Sequence, residues 1–363
     1  MTESATGPAG VVEVDRPGWY PTGQVSRTAS WDGEAWSGAT ADDPTVEALP
    51  KWKHHILGFL GHAWFGTMVA GQLICVAVGV FAWKADSNAL AWASAVGFAV
   101  FLTGSVMLID RHLQFSLLPR WRFLTGIGVL SGAVAAGISI LLEVWIANVA
   151  GSHGILWLAG PIEESAKLAV PFGLLAFGPP LYRNPRVGLY LVAVTGLTFG
   201  VVEGAEYQAT KGGVIPVEMA LVRPTTELAH IFLTGFAAAV IWLAARRAGR
   251  AATVAGTVAF LIVVGIHSFH DGIFTLDSRV KSGEIVVNTL NKALALGAGG
   301  LVWNLVLSAL FYLLLRHGAR ELMTPSSVAV NPPHWRPTIK QWGVKAGPGG
   351  ATPPPTPDAP TQP

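Results

Sequence analysis

The sequence predicts an all-α polytopic membrane protein with about eight transmembrane helices and both termini cytoplasmic. Three observations carry that prediction. Of the 363 residues 51% are hydrophobic and only 13% charged, and the mean hydropathy is +0.47; globular domains carry about 25% charged residues. Apolar stretches recur along the chain at lengths near the roughly 20 residues that cross a bilayer. Their flanks alternate in Lys and Arg density, as cytoplasmic and opposite sides do.

Residues 1–53 form a leader. Within it, PGWYPTG and SWDGEAWS between residues 17 and 37 place Gly and Asp-Gly turns between Trp- and Tyr-rich runs, which predicts a small β-hairpin module. That stretch resembles the short GWYP…WDGxxW module that precedes membrane spans in many proteins of high-GC Gram-positive bacteria. No signal peptide is expected, because the first apolar stretch begins near Ile56, behind an acidic leader.

The membrane domain is expected over residues 54–320. Its spans run approximately over 56–83, 88–109, 124–150, 155–177, 187–208, 225–245, 253–274 and 293–315. Glycine is abundant in them, as expected where helices pack closely without a hydrophobic drive. With the N-terminus inside, cytoplasmic segments hold Lys51, Lys53, Arg111, Arg120, Arg122, Arg183, Arg186, Arg246, Arg247, Arg250, Arg316 and Arg320; the opposite segments hold Lys84, Lys211, Arg223, Arg279, Lys281 and Lys292. The tail, 321–363, carries 11 of the 24 prolines, which predicts a disordered cytoplasmic extension. A net charge of +2 is too small to imply nucleic-acid binding and no basic run interleaves with aromatics, so no nucleic-acid partner is expected; a lone cysteine, Cys75, excludes an internal disulfide.

Charged residues inside the spans are the chemical signal. Intramembrane charge costs about 2.5 kcal/mol or more, so it is rarely decorative. The fourth span carries Glu163, Glu164 and Lys167, spaced so that the lysine can reach either carboxylate one turn away. A Glu–Lys pair bridging helices is the bland alternative, but a single pair uses only one of two adjacent glutamates. The fifth span carries Glu203 one turn after Phe199; Glu206 sits nearer the helix end, at the interface. In the sixth, Arg223, Glu227 and His230 share one helical face. The seventh ends in His267 and Asp271 at i and i+4, the spacing of a ligand with its orienting carboxylate, while His270 points elsewhere.

Depth joins these signals. Glu163, Glu203, His230 and His267 each lie roughly five to nine residues from the non-cytoplasmic end of a span, a layer about 8–14 Å inside the membrane. Helices running both ways place them there, so the layer survives reversal of the topology.

Together the motifs resemble the PrsW family of bacterial intramembrane proteases, within the superfamily of CAAX prenyl endopeptidases and bacteriocin-processing membrane proteins. The family pattern of EExxK, FxxxE, a histidine following an arginine, and HxxxD appears here as Glu163-Glu164-SA-Lys167, Phe199-GVV-Glu203, Arg223 with His230, and His267-SFH-Asp271. It covers about residues 155–274. Gly204 departs from the asparagine expected after the second-motif glutamate. HExxH, the rhomboid serine motif and the GxGD aspartate motif are lacking.

The resemblance implies peptide hydrolysis in the membrane. Glu163 or Glu164 is expected to activate the water, with the other held by Lys167, and Glu203, His230, His267 and Asp271 form the opposing set. Glu203, His230 and His267 could bind a catalytic zinc, or polarise the carbonyl without one. The family further implies a bacterial plasma-membrane location and single-span anti-sigma factors as substrates, cut near the extracytoplasmic face. A proton- or metal-coupled transporter is the first rival, since acid/His clusters also mark ion paths; no internal repeat supports it. A non-catalytic scaffold or immunity-type protein is the second.

Overall fold

Backbone in a bilayer has no water to bond with, so apolar runs there close their own hydrogen bonds as helices. The computed structural model describes residues 18–21, 27–31, 36–42, 62–115, 118, 120–210, 216–274 and 290–323. The expected Pro-rich tail and the start of the first span at Ile56 lie outside the described residues.

In the leader, β1 (Gly18–Pro21), β2 (Arg27–Trp31) and β3 (Trp36–Asp42) form an antiparallel sheet in that order, with Trp31 opposite Trp36. The rest is helical: α1 (Ala63–Ala85), α2 (Asn88–Ala91), α3 (Ser94–Leu113), α4 (Trp121–Phe177), α5 (Pro185–Thr210), α6 (Pro216–Thr226), α7 (Leu228–Ala248), α8 (Val254–Phe269) and α9 (Leu290–Met323). A 3-10 turn (Pro180–Arg183) precedes α5, and a π turn (His270–Phe274) follows α8. The helix starts carry local signals: Ser87 Oγ accepts from Leu90 N, Thr253 Oγ1 accepts from Gly256 N, and Pro185 opens α5.

Seven helical segments among the described residues are long and apolar enough to cross a membrane: 63–85, 88–113, 121–149, 185–210, 219–248, 254–272 and 298–318. The eighth helix of the expected set is the second arm of α4. Helical geometry breaks at Gly151 (φ 75°, ψ 172°), dividing α4 into arms 121–150 and 152–177. A continuous helix would set Ala136 and Ala166 about 45 Å apart. Both instead pack in one cluster with Phe199 of α5, so the arms fold back on one another. The second arm contains Glu163, Glu164 and Lys167, three charges that separate it from the seven apolar segments.

Four helices close a ring: α4 packs on α5, α5 on α7, α7 on α8, and α8 on α4. The α1–α3 pair braces α5 and α6 from outside, and α9 lies against α6 and α7. Small residues set the approach within the ring. A Cβ on Gly196 of α5 would collide with the His230 carbonyl, and one on Gly160 of α4 with Ser268 of α8. Gly204 has a similar cause: a Cβ there would stand 2.6 Å from the Phe98 ring of α3, leaving no room for an asparagine. Arg186 crosses the base of the fold, donating from Nε (2.9 Å) and Nη2 (2.6 Å) to the Leu113 carbonyl and from Nη2 to that of Gln114, the free carbonyls ending α3.

Gly151 offers a clean test, since nothing lies within 4 Å of a Cβ built there. Gly151→Ala should destabilise by about 1–3 kcal/mol through backbone strain alone, read as a lower thermal unfolding midpoint in detergent. An unchanged midpoint would show that the arms do not need this conformation.

Candidate active site

The ring places seven ionisable side chains in its interior, each from a helix whose other faces are apolar. Glu163, Glu164 and Lys167 come from the second arm of α4, Glu203 from α5, Glu227 from the α6–α7 junction, His230 from α7 and His267 from α8. Glu163, Glu164, Lys167, Glu227, His230 and His267 are all 3% exposed or less. Arg223 of α6 and Asp271 of the π turn close the outer side.

Lys167 and Glu164 form the centre. The ammonium lies 2.6 Å from Glu164 Oε1, 3.5 Å from Glu163 Oε2 and 2.7 Å from His230 Nδ1, and 4.7 Å over the Phe199 ring. Glu164 is fully engaged: Oε1 also meets His267 Nδ1 at 2.8 Å, and Oε2 accepts from the Thr234 hydroxyl at 2.7 Å. Glu163 differs. Its Oε2 is buried with no hydrogen-bond partner among the described residues and stands 3.6 Å from both His230 Nδ1 and His267 Nε2.

The two imidazoles are held from behind by carboxylates. His230 turns Nε2 toward Glu203 Oε2 (2.8 Å) and Glu227 Oε2 (2.9 Å), and His267 gives Nδ1 to Glu164. Asp271 Oδ2 lies 3.3 Å from His267 Nε2. Arg223 Nη2 joins Glu203 Oε1 (2.8 Å) to Glu227 Oε1 (2.7 Å), and its guanidinium sits 3.7 Å above the Tyr207 ring. Glu203 and Asp271 are the more accessible acids, with side chains 15% and 17% exposed.

All seven expected site residues therefore meet in one cluster. Its finer grouping is new. Two sets of donor atoms lie within 4.8 Å of one another: Glu163 with His230 and His267, and Glu203 with Glu227 and His230. Glu203 contacts the far nitrogen of His230, on the side away from Glu163. Arg223 already provides the positive charge for the second set. Lys167 does the same for the first, and it also engages His230 Nδ1 at 2.7 Å. Among the described residues the second set holds more buried atoms without a hydrogen-bond partner, Glu203 Oε2, both Glu227 oxygens and His230 Nε2, against Glu163 Oε2 alone in the first, and so fits a divalent cation better. The cluster brings five carboxyl groups, Glu163, Glu164, Glu203, Glu227 and Asp271, together with two basic side chains, Lys167 and Arg223. Thr234 had no signal in the sequence, being one hydroxyl in an apolar helix. Asn304 of α9 was equally silent; it donates to Thr226 Oγ1 at 2.6 Å and ties α9 to the α6–α7 junction.

Residues 119–296 match the model of the PrsW family intramembrane metalloproteases. Over that segment, just under half of its length, the chain is similar to the PrsW family. Every charged residue of the cluster falls inside the matched segment. The PrsW assignment makes this multi-pass membrane protein an intramembrane protease and its buried Glu/His groups a candidate metal centre. No curated protein and no solved structure matches the chain.

Removing one member of a buried pair leaves the other uncompensated, at a cost of about 3–5 kcal/mol. Lys167→Met should therefore lower the unfolding midpoint sharply, and adding Glu164→Gln should recover part of the loss. A double variant no more stable than Lys167→Met would show that the two residues are not coupled.

Proposed function

We propose that the chain is an endopeptidase that cuts single-span membrane proteins with a water activated by Glu163. One observation carries this reading: among the paired acids, Glu164 is spent on Lys167, His267 and Thr234, whereas Glu163 keeps a free buried oxygen facing two imidazoles. Glu203, Glu227 and His230 would hold the metal, leaving Glu163 free as the base, with zinc suited to one nitrogen and two carboxylate oxygens. When bound, the ion supplies Lewis-acid polarisation of the scissile carbonyl.

The chain's own residues do the rest. Glu163 takes the proton of the attacking water and passes it to the leaving amine. Glu164 and Asp271 fix the His267 ring, and Lys167 meets Nδ1 of His230, which keeps its Nε2 toward Glu203 and Glu227. Lys167 balances the two adjacent carboxylates, and Arg223 balances Glu203 and Glu227. Closing the ring excludes bulk water, which strengthens each of these interactions.

With both termini cytoplasmic, as the Lys and Arg distribution favours, the cluster lies toward the extracytoplasmic side of a bacterial plasma membrane. Single-span anti-sigma factors are the substrate class that this depth and the family suit. The bilayer is then the only other partner required.

The test is co-expression with tagged single-span anti-sigma factors, followed by a search for a shortened product. Glu163→Ala, Glu164→Ala, Glu203→Ala and His267→Ala should each abolish the product while the protein remains inserted. Continued cleavage by all four would overturn the assignment. Purified protein should also carry about one zinc per chain, by elemental analysis, and His230→Ala should lose it; equal metal in both would remove His230 from the ion site.

A further inference from the structure

His270 stands beside the cluster without a part in the chemistry above. It opens the π turn after α8 and is 4% exposed. Such π turns interrupt helices preferentially at functional sites. Its Nδ1 receives the indole N–H of Trp303 from α9, at 3.1 Å. An indole nitrogen can only donate, so Nδ1 must carry the lone pair and the ring hydrogen sits on Nε2. That N–H is buried and has no hydrogen-bond partner among the described residues. The charged groups close enough to act on His270 are Asp271, His267, Arg223 and His230, which places it against the outer side of the site.

A buried donor left unpaired costs about 1–3 kcal/mol, and buried polar groups are otherwise nearly always satisfied. Here a second residue, Trp303, is committed to holding the donor in one tautomer. We propose that His270 is a substrate-binding residue whose Nε2–H donates to a main-chain carbonyl of the substrate beside the scissile bond. The inference rests on the protease reading. The chemistry matches that substrate class: a transmembrane helix must unwind locally to be cut, and unwinding exposes carbonyls that have no water to bond with. A ready donor at the site offsets that cost. It accounts for a carbonyl near the cut, with a donor that carries no charge and faces none of the carboxylates as a bonded partner.

The experiment measures kcat/KM on a tagged single-span substrate whose cleavage depends on Glu163. His270→Leu should lower it about ten- to a hundredfold. His270→Gln, whose amide can place a donor near the Nε2 position, should recover most of that loss. The double variant His270→Leu/Trp303→Phe removes both members of the internal hydrogen bond, so it should keep the wild-type unfolding midpoint and still lose cleavage. Wild-type kcat/KM in the double variant would overturn the proposal, as would loss of activity that follows thermal stability with no rescue by glutamine. If no substrate is cut in a Glu163-dependent way by the wild-type chain, the protease reading itself fails, and the role of His270 fails with it.

Discussion

The contact between Lys167 and Glu164 is the interaction on which the rest depends. An ammonium and a carboxylate 2.6 Å apart, neither exposed, can exist inside a helical bundle only if their remaining bonding capacity is met. Thr234 and His267 meet it for the carboxylate, and His230 and Glu163 for the ammonium. Three helices, α4, α7 and α8, are therefore tied to one point. Whatever moves α7 or α8 relative to α4 must break a bond to a buried charge, which makes the geometry around Glu163 stiff without any contribution from loops.

The ring is narrow because glycines let it be. Gly196 seats α5 against the His230 carbonyl, and Gly160 seats α4 against Ser268, within one helical turn of the charged residues in each case or close to it. Close backbone approach shortens the reach that the acidic side chains need. Packing and chemistry are here one constraint: larger residues at these positions would separate the imidazoles from Glu163 before they disturbed any hydrophobic contact.

Much of this was legible in the sequence. Helix number and span positions follow from apolar length, and Glu163, Glu164, Lys167, Glu203, His230, His267 and Asp271 stand out because charge is scarce in such helices. Their common depth already implied one site. The division of labour between Glu163 and Glu164 was not legible, since adjacent residues differ only in which helix each faces, a property of the assembled ring. Glu227 was readable as a neighbour of Arg223, but its full burial depends on α5 and α7 meeting above it. Thr234, Trp303 and Asn304 gave no warning, because single polar atoms in membrane helices are common and acquire meaning only from their partners. The fold-back of α4 was expected as a short loop and proved to be one glycine in a conformation that other residues resist.

That hairpin bears on how the protein enters its membrane. The second arm of α4, with two acids and a base near its middle, is a poor candidate for independent insertion. The first arm is long and apolar, and only Gly151 separates the two. Biogenesis would then deliver them as a unit, the first arm carrying its charged neighbour across while Lys167 already shields Glu164. Helices α5, α7 and α8 would assemble afterwards around a hairpin whose charges are waiting to be matched, so the residues of the buried cluster would serve first as the recognition code for assembly.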